Sequence, residues 1–165
     1  GCTLAANCIR TWLFVNDIDL NYGGVVRARN QVFFTQGLTH DTHFIASTGI
    51  GGRAQDPCVL TQMDNYAIAG VMPEQIHYLY ASTHLNRTSD YGVSFEAGCT
   101  YDDVAHMIVY LRDPADYAVV SRLYNERFPG RPVVIVNAPV CRAGWLVEME
   151  CMAVKAQHDD RFPAF

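Results

Sequence analysis

Apolar and polar positions change rhythm along this chain, and the changes mark out its elements. Ile9 to Val15 is an aromatic and β-branched run bounded by Asn7 and Asn16-Asp17, which predicts a strand. Asp17 or Asp19 then offers a helix N-cap, and Tyr22, Val25, Val26, Arg29 and Phe33 recur at helical spacing towards a stop at Gly37. Gly23-Gly24 falls inside that pattern and leaves the helix start open, since each glycine costs about 1 kcal/mol against alanine. His43 to Ile50 and Val59 to Ala69 read as further strands, broken by Gly51-Gly52 and by Gly70 and Pro73. Gln75 to Ala81 fits either type, and His84 to Asp90 is loop-like. Tyr91 to Phe95 suggests a short strand and Gly98 to Asp102 a turn.

The second half starts afresh. His106 to Leu111 predicts a strand, and Asp113-Pro114-Ala115-Asp116 has an acidic cap and a proline suited to the first helical position. Tyr117, Val120 and Tyr124 form the expected buried stripe, and Pro129-Gly130 ends the helix. Val133 to Ala138 is a nearly continuous apolar run, the pattern of a buried strand. After Pro139 and Ala143-Gly144 the chain alternates. Trp145, Val147, Met149, Cys151 and Ala153 share one face, expected to pack inward; Leu146, Glu148, Glu150 and Met152 share the other. That places two carboxylates about 7 Å apart along one strand.

The order strand, Asp-capped helix, strand, strand therefore occurs twice, over about residues 9–69 and 104–154. The repeat is too long for a solenoid and predicts two pseudo-symmetric halves of a single domain over 1–165. The expected fold class is α+β: a two-layer sandwich with a mixed sheet of about six strands and two helices on one face. The helix-free sheet face, if apolar, calls for cover by self-association.

Composition narrows the function classes. Half of the residues are hydrophobic, enough for a core, yet no apolar run reaches the length of a membrane span. The net charge is −5 and the only lysine is Lys155, with arginines scattered singly, which argues against nucleic acid as a partner. Cys2, Cys8, Cys58, Cys99, Cys141 and Cys151 contain no C-x-x-C pair, and no secretory pattern opens the chain, so free thiols and a cytoplasmic location are expected. His40-Asp41-Thr42-His43 lacks a second ligand pair, and no metal is expected. Gly49-Ile50-Gly51-Gly52 lacks the context of a phosphate loop and reads as a turn.

Val104 to Arg131, with its strand ending in Asp113, the Asp116-Tyr117-Ala118 helix start, Phe128-Pro129-Gly130-Arg131 and the later Val147-Glu148-Met149-Glu150, resembles the second half of the Rid (YjgF, L-PSP endoribonuclease-like) family. The resemblance covers about residues 97–154. It implies a chorismate-mutase-like fold, homotrimers with ligand clefts between subunits, no cofactor, and enamine or imine deamination of a small carboxylate-bearing substrate such as a 2-aminoacrylate. On this resemblance Arg131 clamps the substrate carboxylate, Glu148 positions water or delivers a proton, and Ser121 stands where many relatives carry asparagine. A guanidinium fork suits a carboxylate in a way that lysine cannot copy.

Other candidates come from the residues themselves. Glu150 shares the face of Glu148 and can act as its partner; the plainer reading is a pair of solvated glutamates. Cys141 beside Arg142 reads either as a low-pKa nucleophile or as a packed turn cysteine, and Arg142 as a second anion contact. Three alternatives to deamination stand: a non-catalytic ligand-binding or interaction protein of the same fold, the endoribonuclease of the family's older label, and hydrolysis of an enolpyruvyl ether, because chorismatases resemble this family.

Overall fold

The structure is a computed structural model that describes residues 1–39, 41–76 and 101–154. The expected segments at 77–81, 84–90 and 91–95, together with His40, Cys99 and the tail after Val154, lie outside the described residues. The strands are β1 (Cys8–Val15), β2 (Ala46–Gly51), β3 (Thr61–Ala67), β4 (Val104–Leu111), β5 (Val133–Asn137) and β6 (Val147–Ala153). The helices are α1 (Leu4–Asn7), α2 (Ile18–Thr35) and α3 (Tyr117–Arg127), with α1 unforeseen from the pattern. Among the described residues, no helix is long and apolar enough to cross a membrane.

The two halves repeat as the pattern predicted. β1 runs parallel to β2 and antiparallel to β3, and β4 runs parallel to β5 and antiparallel to β6. Even an irregularity recurs: the ladder shifts register between Cys8 and Arg10 in β1 and at the equivalent place, between Val104 and His106, in β4. Such a bulge adds local twist.

Among the described residues, the hydrogen bonds give two three-stranded sheets, ordered β2-β1-β3 and β5-β4-β6, rather than one six-stranded ladder. A single antiparallel bridge, Ile50 to Val140, joins them, reinforced by the Gly51 amide donating to the Pro139 carbonyl at 2.6 Å. Pro139 follows the end of β5 where pairing with β2 would begin, and it has no amide hydrogen to extend a ladder.

Each helix covers one sheet. Leu13 and Val15 pack with Ile18, Tyr22 and Val25 of α2, and Met107, Val109 and Leu111 pack with Val120 and Tyr124 of α3. Tyr117 departs from the expected stripe and is exposed, because α3 begins with it, after a 3-10 turn at Pro114–Asp116. Asp113 caps that turn by accepting the Ala115 amide at 2.8 Å. Asp17 occupies the N-cap of α2 without a side-chain cap bond, and the helix continues through Gly23-Gly24 to Gly37, whose φ of 80° terminates it.

The opposite faces of the two sheets meet each other. Phe14 and Ile50 from the first pack with Ile108, Tyr110 and Val136 from the second, around Ala138 and Val140. Part of the face that self-association was expected to cover is thus covered within one chain, although Val134 remains 56% exposed. The glycine-rich end of β2 lets three close approaches form: to α2, to the second sheet and to β1. A Cβ on Gly49 would lie 2.7 Å from the Tyr22 ring, one on Gly51 2.8 Å from the Pro139 ring, and one on Gly52 3.0 Å from Phe14. The Gly51→Ala variant is expected to lose about 1–3 kcal/mol of stability in urea denaturation, because the Pro139 ring has little room to yield.

Candidate functional site

The alternation of β6 places Glu148 opposite Tyr110 and Glu150 opposite Ile108, all on the face turned towards the first sheet. On β1 the same alternation turns Arg10 and Trp12 the same way, and Thr48 of β2 lies level with Trp12. These residues converge on Glu150. Its Oε1 accepts the Trp12 indole N–H and the Tyr110 hydroxyl, each at 2.8 Å. Its Oε2 accepts the Thr48 hydroxyl and an Arg10 guanidinium nitrogen. Arg10 also donates to the Thr48 oxygen at 2.6 Å and lies over the Trp12 ring. The ion pair is nearly dry, with the Glu150 side chain 10% exposed.

This environment drives the two glutamates apart. Burial alone would raise Glu150, but the hydrogen bonds from Thr48 and Trp12, the Arg10 charge and the Tyr110 hydroxyl outweigh it, and its carboxyl is held below the usual range. Glu148 has the opposite fate. Burial, and then the negative charge of Glu150, push its carboxyl up to about 7, with Arg10 opposing only in part. Its Oε2 is buried and has no hydrogen-bond partner among the described residues. A carboxyl so placed keeps a proton near neutral pH and has an uncommitted oxygen with which to deliver it.

Cys141 and Tyr22 complete the surroundings. The Tyr22 hydroxyl hydrogen-bonds the Cys141 sulfur; burial, then the neighbouring thiol, push that phenol up to about 12. Burial and the Glu148 charge raise the Cys141 thiol, against a smaller opposing effect of Arg142. Among the described residues no group of three or more His, Cys, Asp or Glu side chains is placed to hold a metal ion.

No family model matches the chain, and no curated protein matches it. Among solved structures, the crystal structure of a chorismatase superposes with a TM-score of 0.64 at 19% sequence identity, covering 89% of this chain and 64% of that one. The fold is similar to that of a chorismatase. The chain spans 64% of that protein's length, so the chorismatase carries structure beyond what is matched here.

Within this chorismatase-like fold, the residues expected from sequence scatter. Glu148, Glu150 and Cys141 come together. Arg131 does not join them: its guanidinium binds Asp102, beside the start of β4, whereas Glu148 pairs near the end of β4. Within one chain the parallel β5 sets Arg131 at the end of the sheet opposite to Glu148; the cleft between subunits implied by the resemblance is a separate arrangement. The cation that does stand near the glutamates is Arg10. Cys141 is corrected too. Burial pushes its thiol up rather than down, and the opposing pull of Arg142, which lies over Trp145 at 5.4 Å, does not offset it. Ser121 lies on α3, where its carbonyl accepts the Asn125 side chain at 2.8 Å, and it makes no contact with this cluster.

The reading of β6 as apolar face in and acidic face out is reversed for most of the strand. Met149 and Cys151 are exposed, and the glutamates lie inside. Arg10, Trp12, Thr48, Tyr22 and Tyr110 went unnoticed. One signal was available: Arg10 interrupts an otherwise aromatic and β-branched strand, where a charge needs a partner. The five described cysteines are free, in line with the expected thiols.

Proposed function

We propose that this protein is a hydrolase that protonates the terminal carbon of a heteroatom-substituted alkene, with enolpyruvyl ethers as its substrate class. The observation that carries this reading is Glu148: a buried carboxyl pushed up to about 7 beside an ionised neighbour, with one oxygen unengaged among the described residues. The Glu148 proton adds to the methylene carbon, and the double-bond electrons leave an oxocarbenium centre stabilised by the ether oxygen. Water adds to that centre and returns its proton to the Glu148 carboxylate. Collapse of the hemiketal breaks the carbon–oxygen bond and yields an alcohol and pyruvate. The negative charge of Glu150, fixed by four donors, favours the cationic intermediate while keeping Glu148 a willing acid.

Two further points support the ether over the enamine. The fold neighbour is named for action on chorismate, which is itself an enolpyruvyl ether. The carboxylate clamp of the deaminase reading, Arg131, is engaged with Asp102 away from Glu148. The same acid acting on a 2-aminoacrylate would release ammonia and a 2-keto acid, so product analysis separates the two. Incubation with chorismate in D2O is expected to release pyruvate carrying deuterium in its methyl group, read by mass spectrometry. Pyruvate at the buffer rate sinks the ether reading, and ammonia from a 2-aminoacrylate at a rate above buffer replaces it with deamination. The Arg131→Ala variant is expected to retain most of the ether activity.

A further inference from the structure

We propose that Arg112 is a positioning residue for Glu148, clamping helix α2 and the turn between β5 and β6 to the end of β4. The inference rests on the reading of Glu148 as the acid, and its test is chosen to be separable from that reading. Arg112 directly follows β4, two residues beyond Tyr110, the strand partner of Glu148. Its guanidinium reaches two elements at once. Towards α2 it grips both oxygens of Asp19, at 2.8 and 3.1 Å. Towards the turn it donates to the carbonyls of Val140 at 2.6 Å, Arg142 at 3.0 Å and Trp145 at 3.1 Å. Its backbone amide adds a bond to the Leu146 carbonyl at 3.0 Å.

The gripped segments carry the walls of the site. Tyr22 lies one helical turn beyond Asp19, on the same side of α2. Cys141 lies between two of the gripped carbonyls, and the chain then runs directly from Leu146 through Val147 to Glu148. Among the described residues, the charged or titratable groups that face Glu148 are Glu150 on its own strand, Arg10 from β1, Tyr110 from β4, Tyr22 from α2 and Cys141 from the turn. The strand residues are held by ladders. Tyr22 and Cys141 sit on a helix start and an otherwise exposed turn, and Arg112 ties both down. An ion pair with the half-exposed Asp19 would by itself do little, but a fork that also binds three carbonyls fixes geometry. Lysine, with its single ammonium, cannot reproduce that fork. Loosening the clamp admits water beside Glu148 and removes part of the burial that holds its proton.

The test follows the carboxyl itself, by NMR titration of protein labelled with 13C at the glutamate carboxyl, with Glu148 assigned from the Glu148→Gln spectrum. In a folded Arg112→Lys variant the Glu148 midpoint is expected to fall by about one unit towards an ordinary glutamate. Where wild type turns over chorismate, kcat is expected to fall about tenfold with KM little changed. A folded Arg112→Lys protein whose Glu148 titrates as in wild type overturns the inference. Should that variant not fold, Asp19→Asn cuts only the helix arm, and an unmoved midpoint there overturns it equally. A wild-type protein inert towards chorismate removes the proposed reaction, while the titration still decides the role of Arg112.

Discussion

Replacing Glu148 with glutamine is expected to lower pyruvate release by about 10²- to 10⁴-fold, the range for loss of a general acid, in steady-state assays at pH 6. Glutamine keeps the shape of the side chain but has no proton to give. On the proposed mechanism, the proton-bearing form is the active one. Its carboxyl sits at about 7, so kcat/KM should hold at acidic pH and decline as pH rises through 7. Residual activity of Glu148→Gln that keeps this pH dependence would remove Glu148 from the mechanism. The same substitution carries a stability signature. A folded-state value raised above the unfolded one means the group's contribution is fully present below the unfolded value near 4.5 and is lost as pH passes 7. Wild type should therefore lose about 1–2 kcal/mol relative to Glu148→Gln between pH 5 and pH 8, a figure reduced for the part of the carboxyl that solvent reaches. Paired urea denaturations across that range measure it.

Glu150→Ala is expected to cost about 3–5 kcal/mol, the largest stability effect of any substitution in this region. Its removal leaves the Arg10 charge uncompensated and the Trp12 N–H and the Tyr110 hydroxyl without their acceptor. The sign with pH is opposite to that of Glu148. The folded-state value of Glu150 is lowered, so its contribution is present above the unfolded value and lost as acid protonates the folded carboxylate. Urea denaturation at pH 7 should show the full deficit of Glu150→Ala, and the gap to wild type should narrow in strong acid. The milder Glu150→Gln removes the charge that helps to raise Glu148. Its activity should then fall off at lower pH than in wild type. A pH profile coincident with wild type would show that the two carboxyls are not coupled.

Much of the architecture was legible because it is written in local patterns. The β1 and β4 runs, the Asp113 cap, the Gly37 and Gly130 stops and the alternation of Glu148 with Glu150 all appear where periodicity and turn chemistry placed them. The doubled strand-helix-strand-strand order followed from the same signals and implied mixed pairing, while the partners of each strand came only from the structure. The site was legible only in part. Glu148 and Glu150 could be named because they share one strand face. Their partners could not, since Arg10 and Glu150 stand 140 positions apart in the chain and Thr48 and Glu150 102. Where Arg131 falls relative to Glu148 within the chain was equally hidden, because proximity to a strand end says nothing about which end of the sheet that strand presents.

By itself the sequence determined what most segments are: which stretches form strands, where the two long helices lie, and which side chains share a face. These are properties of neighbours in the chain, governed by backbone geometry within a few residues. Only the tertiary structure decided that the two sheets fold face to face rather than run on as one. That closure converts two glutamates of identical chemistry into an ionised anchor and a proton-bearing acid. A carboxyl's proton affinity depends on the water it loses and the charges it meets, and both are set by residues brought together from distant parts of the chain.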